Sequence, residues 1–286
     1  MSAPFRPTLT LTTLALASLV ASAALAQTPA PAAPAAPAAP AAAAPAPEPD
    51  FTFASNIGLY SQYVFRGVSQ TDEKPAVQGG FDLSHKSGLY LGTWASNISW
   101  ISDATPGASA SLEWDMYGGY KGSLPADFSY DIGGLYYYYP GTFPSNYVKP
   151  NTFEVYGALS WKFLTFKYSY STGDTFGFAN SRGSNYADLT ASYDVVDKVN
   201  DAIGKVTLIG HVGHQQYKGT TYIGKVGYAN SNYSYTDWKV GAQTEIYGVT
   251  VGIYGTGTNA TDTLYTNPYG RNIAANQFVG FIQKTF

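Results

Sequence analysis

The 286-residue sequence lacks cysteine and is poor in charge. The absence of cysteine excludes disulfides, thiolate metal sites and cysteine nucleophiles. Charged residues make up 12% of the chain, about half of the ~25% that is usual in soluble domains. The net charge is only −3, so the clustered Lys and Arg that neutralise phosphates are missing, and we expect no nucleic-acid partner.

Aromatic residues and glycine are abundant instead, with 25 Tyr, 15 Phe, 5 Trp and 30 Gly. All of the glycines, and all of the aromatic residues except Phe5, follow residue 50. This composition argues against a disordered chain, which would be rich in charge and poor in aromatic residues. After residue 50 the sequence also contains no apolar stripe with helical spacing. A β-rich domain over residues 51–286 is therefore expected.

Residues 1–26 have the features of a secretory signal peptide. Arg6 supplies a positive charge, residues 9–24 are mostly apolar, and small residues precede a cleavage site before Gln27. The alternative is a membrane anchor, but the run is short for a ~30 Å hydrocarbon core and no Lys or Arg follows it. We predict that the mature protein is exported.

Residues 27–50 are dominated by alanine and proline. Positions 28–49 hold 12 Ala and 8 Pro, a density of proline that no helix tolerates. This composition predicts a disordered, extended tether of up to ~70 Å, at ~3.1 Å per residue. Whether the tether is a spacer that clears the cell wall or an inert low-complexity segment is left open.

From residue 51 onward, apolar and polar residues alternate in segments of nine to fourteen residues. Leu112, Trp114 and Met116, for example, alternate with Glu113 and Asp115. A period of two is typical of a β-strand with one apolar and one polar face. We predict twelve strands, over residues 53–66, 76–85, 89–100, 110–121, 127–139, 151–162, 164–172, 185–195, 205–217, 233–246, 249–257 and 275–286.

Short and long connections alternate between these strands. The seven prolines after residue 50 fall in connections or at strand boundaries, where a missing N–H is tolerated. An even number of strands with short turns at one end and long loops at the other is typical of outer-membrane barrels. Soluble sheets, the alternative, have strands of ~5–6 residues, whereas spanning strands need ~9–11. We predict an all-β, transmembrane, antiparallel up-and-down β-barrel over residues 51–286, surrounded by outer-membrane lipids of a Gram-negative bacterium.

The last predicted strand ends in an aromatic residue. Phe286, Ile282 and Phe278 alternate along it, which resembles the C-terminal signal that barrel-assembly machinery reads in bacterial outer-membrane proteins. Lys284 departs from that pattern, because an aromatic residue is commoner at the third-last position. We expect the assembly machinery to be a partner through Phe286.

A family resemblance is carried by three runs near the start of this region, NIGLYSQYVFRGVSQT (56–71), KPAVQGGFD (74–82) and GLYLGTWASN (88–97). They resemble the N-terminal signature of the TorF family, whose members are assigned as porins. Later residues are similar to the same family, at 153–156, 168–171 and 284–286. The resemblance spans about residues 51–286 and implies an outer-membrane barrel. It brings no known substrate and no functional residues.

The three histidines do not predict a catalytic or metal site. His211 and His214 are three residues apart, which on a strand directs them to opposite faces, so they cannot share a metal. His85 lies beside a short turn, and the sequence contains no G-x-S-x-G motif. We expect no catalytic residue, no metal and no cofactor. A lipase-like barrel enzyme is the alternative, and it requires a histidine near a serine nucleophile.

Charged residues within the strands are predicted to face the lumen, because Arg or Lys facing lipid at mid-bilayer costs ~2–4 kcal/mol. We predict a passive channel for small hydrophilic solutes with a weak cation preference, since acids outnumber bases on these faces. A lumen filled by its own paired side chains, as in a structural or adhesive barrel, is the other alternative. The predicted pore-lining residues are Arg66, Asp82, Glu113, Asp115, Glu154, Lys162, Lys167 and Asp188, with Asp131, Asp237, Lys239 and Glu245 on the same faces.

Overall fold

The structure is a computed structural model that describes residues 49–145 and 147–286. The predicted signal peptide lies outside the described residues, as does the predicted tether up to residue 48. No helix in the described part of the chain is long and apolar enough to cross a bilayer.

Twelve antiparallel strands form a closed barrel in which every strand pairs with its neighbours in the chain. The first and last strands close the barrel, with Asn56 opposite Thr285 and Tyr60 opposite Phe281. The strands are β1 (Phe51–Tyr60), β2 (Ala76–His85), β3 (Leu89–Asn97), β4 (Leu112–Leu124), β5 (Phe128–Tyr138), β6 (Thr152–Trp161), β7 (Leu164–Ser171), β8 (Asn185–Val196), β9 (Ile203–Gln216), β10 (Tyr235–Ile246), β11 (Val249–Thr258) and β12 (Gln277–Thr285).

The predicted fold class and the predicted number of strands are confirmed. The largest error is at the first strand, which was expected to reach residue 66 but ends at Tyr60. The third strand was expected to reach residue 100 but ends at Asn97, because a short helix, α1 (Trp100–Ala104), follows it. In both places the chain leaves the wall of the barrel while its sequence still alternates.

The outer face of the wall is apolar along its whole height. Leu91, Val240 and Ile253 are each about 60% exposed, whereas their neighbours along the strands turn inward. Aromatic pairs lie near both ends of this face, Phe128 with Trp161 beside the short turns and Trp114 with Tyr138 toward the long connections. An apolar band between two aromatic girdles is typical of a barrel surrounded by lipid.

The connections divide into two rims. Turns at 86–88, 125–127, 162–163, 197–202 and 247–248 form the short-turn rim. Connections at 61–75, 98–111, 139–151, 172–184, 217–234 and 259–276 form the long-loop rim. Four small elements lie at the long-loop rim, namely α1, the helix α2 (Asp262–Tyr265), the 3-10 helix Asn230–Tyr233 and the hairpin of Thr220–Ile223 with Val226–Ala229.

The first long connection, residues 61–75, folds into the barrel, and we call it the plug segment. Its centre is a small hairpin that pairs Val64–Phe65 with Val68–Ser69. Arg66 and Gly67 make the turn with φ of 46° and 80°. A Cβ atom at Gly67 would lie 2.5 Å from Cγ2 of Thr258, so only glycine fits where the turn meets the wall. The backbone thus explains why the strand cannot continue to residue 66.

Candidate functional site

The centre of the site is Arg66, which reaches three parts of the barrel wall from the plug segment. Its guanidinium donates to both carboxylate oxygens of Glu154 on β6, at 3.1 and 2.8 Å. It also donates to Oε1 of Gln215 on β9 at 2.7 Å, and its Cζ lies 4.2 Å from the ring centre of Tyr186 on β8. Such a bidentate, charge-assisted contact fixes the position of the plug segment inside the lumen.

Other plug residues are hydrogen-bonded to the wall and to the loops. The Tyr63 hydroxyl donates to Glu113 on β4 at 2.6 Å, and Gln277 on β12 donates to the Gly67 carbonyl at 3.1 Å. Burial raises the pKa of Tyr63 well above its usual value, and the Glu113 carboxylate adds to the shift, so this hydroxyl keeps its proton. Toward the long-loop rim, Arg271 donates to the Asp72 carbonyl at 2.9 Å. The plug segment therefore narrows the lumen near that rim.

The contact with the plug segment buries two carboxylates that the sequence predicts as pore-lining. Glu113 and Glu154 are each 1% exposed. A buried charge is tolerated only when it is paired and hydrogen-bonded, and here the plug residues Tyr63 and Arg66 supply those bonds. Both carboxylates lie on the inner face of the wall, where they bind the plug segment.

A cavity of about 220 Å³ lies in the lumen beside the hairpin turn of the plug segment. Arg66 and Gly67 border it from the plug. From the wall come Lys167, Asp188, His211, Asp237 and Lys239, together with Tyr186 and Tyr254. In register, Lys167 lies opposite Asp188 and His211 lies opposite Lys239, so these side chains form one belt across β7 to β10.

His211 is held in this belt by a hydrogen-bond network. Its Nε2 lies 2.9 Å from the Tyr186 hydroxyl and 3.1 Å from Oδ2 of Asp237, and its Nδ1 lies 2.8 Å from Oγ1 of Thr190. The Tyr186 hydroxyl also donates to Oδ1 of Asp237 at 2.8 Å. A hydroxyl, an imidazole and a carboxylate are thus hydrogen-bonded to one another. They lie at mid-height of the wall, on its lumen side.

The other two histidines lie outside the lumen. His214 is bonded to the Thr236 hydroxyl at 3.0 Å and is exposed, on the face opposite to His211. His85 lies at the short-turn rim, 2.8 Å from the Ser87 hydroxyl. Within residues 49–145 and 147–286, no group of three or more His, Asp or Glu side chains is arranged to hold a metal.

The remaining predicted residues differ in where the structure places them. Asp82 accepts from the Tyr117 hydroxyl at 2.7 Å and Asp131 from the Tyr90 hydroxyl at 2.6 Å, both inside the lumen. Asp115, also on the inner face, is buried. Glu245 lies near the short-turn end of β10.

Two predicted positions need correction. Arg66 is in the lumen, but it is on the plug segment and not on a strand of the wall. Lys162 occupies a two-residue turn at the short-turn rim with φ of 53°, is exposed, and places its Nζ 5.0 Å from the Trp161 ring centre. The sequence predicts this turn at residue 163 alone, with Lys162 as the last residue of the preceding strand, whereas that strand ends at Trp161.

Sequence reasoning also missed the plug segment and the role of Tyr186. The signal that could have found the plug is Gly67, since an isolated glycine inside a strand pattern suggests a break in that strand. Tyr186 gave no signal, because its contact with Arg66 depends on a part of the chain 120 positions away in sequence.

Comparisons with known proteins identify a family for this chain. The family model described as "Bacterial protein of unknown function (Gcw_chp)" matches residues 43–286. None of the curated proteins matches the sequence. The predicted TorF resemblance stays a prediction.

Several solved barrels are similar to this chain in structure. The KdgM porin is 8% identical with a TM-score of 0.48, and the match covers 82% of this chain and 99% of that one. The NanC porin is 14% identical with a TM-score of 0.41, covering 82% and 98%. LpxR from Salmonella typhimurium is 10% identical with a TM-score of 0.43, covering 82% and 99%.

Proposed function

We propose that this chain, which belongs to the bacterial family of unknown function Gcw_chp, is a passive outer-membrane channel for small hydrophilic solutes. The observation that carries the proposal is the contrast between the two faces of the closed wall. The outer face is apolar, while the inner face bears charged side chains around a cavity of about 220 Å³. A charged inner wall inside an apolar shell is suited to an aqueous passage through lipid.

The proposed location in a membrane rests on the same contrast between an apolar outer face and a charged inner face. An apolar outer face needs lipid around it, and a closed barrel satisfies all backbone hydrogen bonds within the hydrocarbon layer. The outer membrane of a Gram-negative bacterium is the compartment in which such barrels with polar interiors reside. Outer-membrane lipids are therefore proposed as the surroundings of β1 to β12.

A closed structural barrel is the second candidate, and the plug segment is the observation that favours it. Its bonds to β4, β6, β9 and β12 narrow the lumen, so conduction requires either a path beside the plug or its displacement. A lipase-like enzyme is less well supported, because His211 lies in mid-wall inside the lumen and not at a lipid-facing rim. We infer that the protein is not an enzyme.

Single-channel recording in a planar bilayer tests the proposal directly. We expect the purified protein to insert and to give small, discrete conductance steps, because the plug segment leaves a narrow path. Heat-modifiable migration on gels would show that the inserted protein is folded. Folded, inserted protein without any conductance would reject the channel in favour of the structural barrel.

The same recordings test a weak preference for cations. On the inner face, carboxylates outnumber ammonium groups, the acids being Asp82, Glu113, Asp115, Asp131, Glu154, Asp188, Asp194, Asp237 and Glu245 and the bases Lys121, Lys167, Lys205 and Lys239. We expect Asp131→Asn to shift the reversal potential in a salt gradient toward anions, and Lys167→Gln to shift it toward cations. Both shifts should shrink at high salt, since the Debye length falls from about 10 Å at 0.1 M to about 3 Å at 1 M.

Lys162→Gln is the matched control for Lys167→Gln. It removes the same charge at the short-turn rim, where Nζ lies 5.0 Å from the Trp161 ring centre. We expect it to leave the reversal potential unchanged. An equal shift for both lysines would show that charges outside the lumen set the selectivity.

We further propose that the barrel-assembly machinery recognises the end of β12 at Phe286. Phe286 is 72% exposed, while its backbone N–H donates to the Ser55 carbonyl at 2.8 Å. Phe286→Ala keeps that backbone bond and removes only the ring, so it should lower the amount of folded barrel in outer membranes. Ile223→Ala, which truncates an exposed apolar residue in a loop hairpin, is the control. Equal membrane levels for the two variants would contradict recognition through Phe286.

A further inference from the structure

The cavity beside the plug segment contains two ammonium groups that are not ion-paired within residues 49–145 and 147–286. Lys167 Nζ lies 4.0 Å from the Tyr156 ring centre, and Lys239 Nζ lies 5.3 Å from the Tyr254 ring centre. Both lysines border the cavity. Aromatic rings attract these cations but leave their N–H donors free for hydrogen bonds to another partner.

The same cavity contains one carboxylate with spare acceptor capacity. Asp188 accepts through Oδ1 from the Thr190 hydroxyl at 3.3 Å and lies 3.8 Å from Nδ1 of His211. Its Oδ2 makes no hydrogen bond to the described part of the chain. Asp237, in contrast, uses both oxygens, one with Tyr186 and one with His211. Free donors and a free acceptor therefore face one space.

From this arrangement, and resting on the channel function, we propose that the cavity binds solutes of amino-acid size that carry both a carboxylate and an ammonium group. The solute's carboxylate is placed to accept from Lys167 and Lys239, and its ammonium group to donate to Asp188. A simple anion would meet the carboxylates of Asp188 and Asp237, and a simple cation would meet the two lysines, so each is disfavoured by like charge. A zwitterion can place its carboxylate against the lysines and its ammonium group against Asp188.

The size of the cavity agrees with this class of solute. About 220 Å³ is below the range of ~300–1,000 Å³ in which drug-sized ligands bind, so the space fits a molecule of a few carbon atoms. The Arg66 guanidinium borders the cavity on the plug side, where its hydrogen bonds go to Glu154 and Gln215.

Osmotic swelling of proteoliposomes measures how fast a solute enters through the barrel. The test compares the entry rate of alanine with that of lactamide, which is uncharged and of nearly the same size. We expect alanine to enter the wild-type barrel about three- to fivefold faster than lactamide. This is the ratio that ~1 kcal/mol from solvent-exposed ion pairs provides. In Lys167→Gln/Lys239→Gln the ratio should fall to about one, since only the charge pairing that produced it is lost. Asp188→Asn should lower the ratio as well, because it removes the partner of the ammonium group.

Several outcomes separate this inference from the channel function. Swelling with neither solute would reject the channel, and this inference with it. Entry of both solutes at equal rates in the wild type would overturn the inference and leave the channel intact. Faster entry of lactate than of alanine, measured as potassium salt and zwitterion in the same vesicles, would overturn it in favour of an anion site. Lys162→Gln, outside the lumen, must keep the wild-type ratio, and heat-modifiable migration must show each variant folded.

Discussion

Arg66→Ala should raise the single-channel conductance severalfold above the wild-type value. The guanidinium holds the plug segment to β6 and β9 through three hydrogen bonds, and its side chain is 7% exposed. Its removal leaves Glu154, which is 1% exposed, as an unpaired buried charge. Breaking one side of a buried pair costs about 3–5 kcal/mol, and displacement of the plug, which lets water reach Glu154, relieves that cost.

The double variant Arg66→Ala/Glu154→Gln separates two effects of Arg66→Ala. One is the loss of the hydrogen bonds that hold the plug segment, and the other is the unpaired buried charge on Glu154. The double variant also lacks the ion pair, but the remaining amide is neutral and is much less costly to bury. We expect the single variant to conduct more and the double variant to fall between it and the wild type. Wild-type conductance in Arg66→Ala would show that the plug segment does not control the passage.

The sequence was sufficient to predict the wall but not what fills it. In a two-faced strand, a shift of one residue would move every apolar side chain from lipid to lumen, so the alternation sets each strand's register. Eleven of the twelve predicted strands accordingly lie within about three residues of their observed bounds. The plug segment depends on contacts that link positions 50, 88 and 149 residues apart, from Tyr63 to Glu113 and from Arg66 to Glu154 and Gln215. Local pattern contains no information about such pairs.

The candidate site divides in the same way. The inward orientation of Lys167 and Asp188 follows from alternation, and the register across β7 and β8 brings them together. Three-dimensional packing decides that Asp237 is bonded to Tyr186 and His211, while Lys239 has no ion-pair partner in the described part of the chain. The charge count predicted from the sequence is therefore a poor guide to which groups are free, and the free groups decide what a solute encounters.

Because the outer face is assigned to lipid and the inner face to the lumen, an arginine should lower the free energy of unfolding much more on the outer face than on the inner face. Ile253 on β11 is 59% exposed on the outer face near mid-height. Gln243 on β10 faces the lumen and pairs with Gly252, one position away from Ile253, so the two sites lie at nearly the same depth. Ile253→Arg should lower the free energy of unfolding in lipid vesicles by about 2–4 kcal/mol, because the guanidinium faces hydrocarbon.

Gln243→Arg adds the same side chain on the inner face, beside a cavity that Tyr60, Tyr254 and Gln283 border. We expect it to change the free energy of unfolding by less than about 1 kcal/mol, as is usual for a substitution away from packed or buried groups. Denaturant titration of both variants in vesicles of one lipid composition, followed by heat-modifiable migration, measures the two costs side by side. Equal costs would mean that the two faces meet the same environment. Only a hydrocarbon layer makes an arginine costly on the outer face and not on the inner face. Equal costs would therefore show that lipid does not surround the apolar outer face.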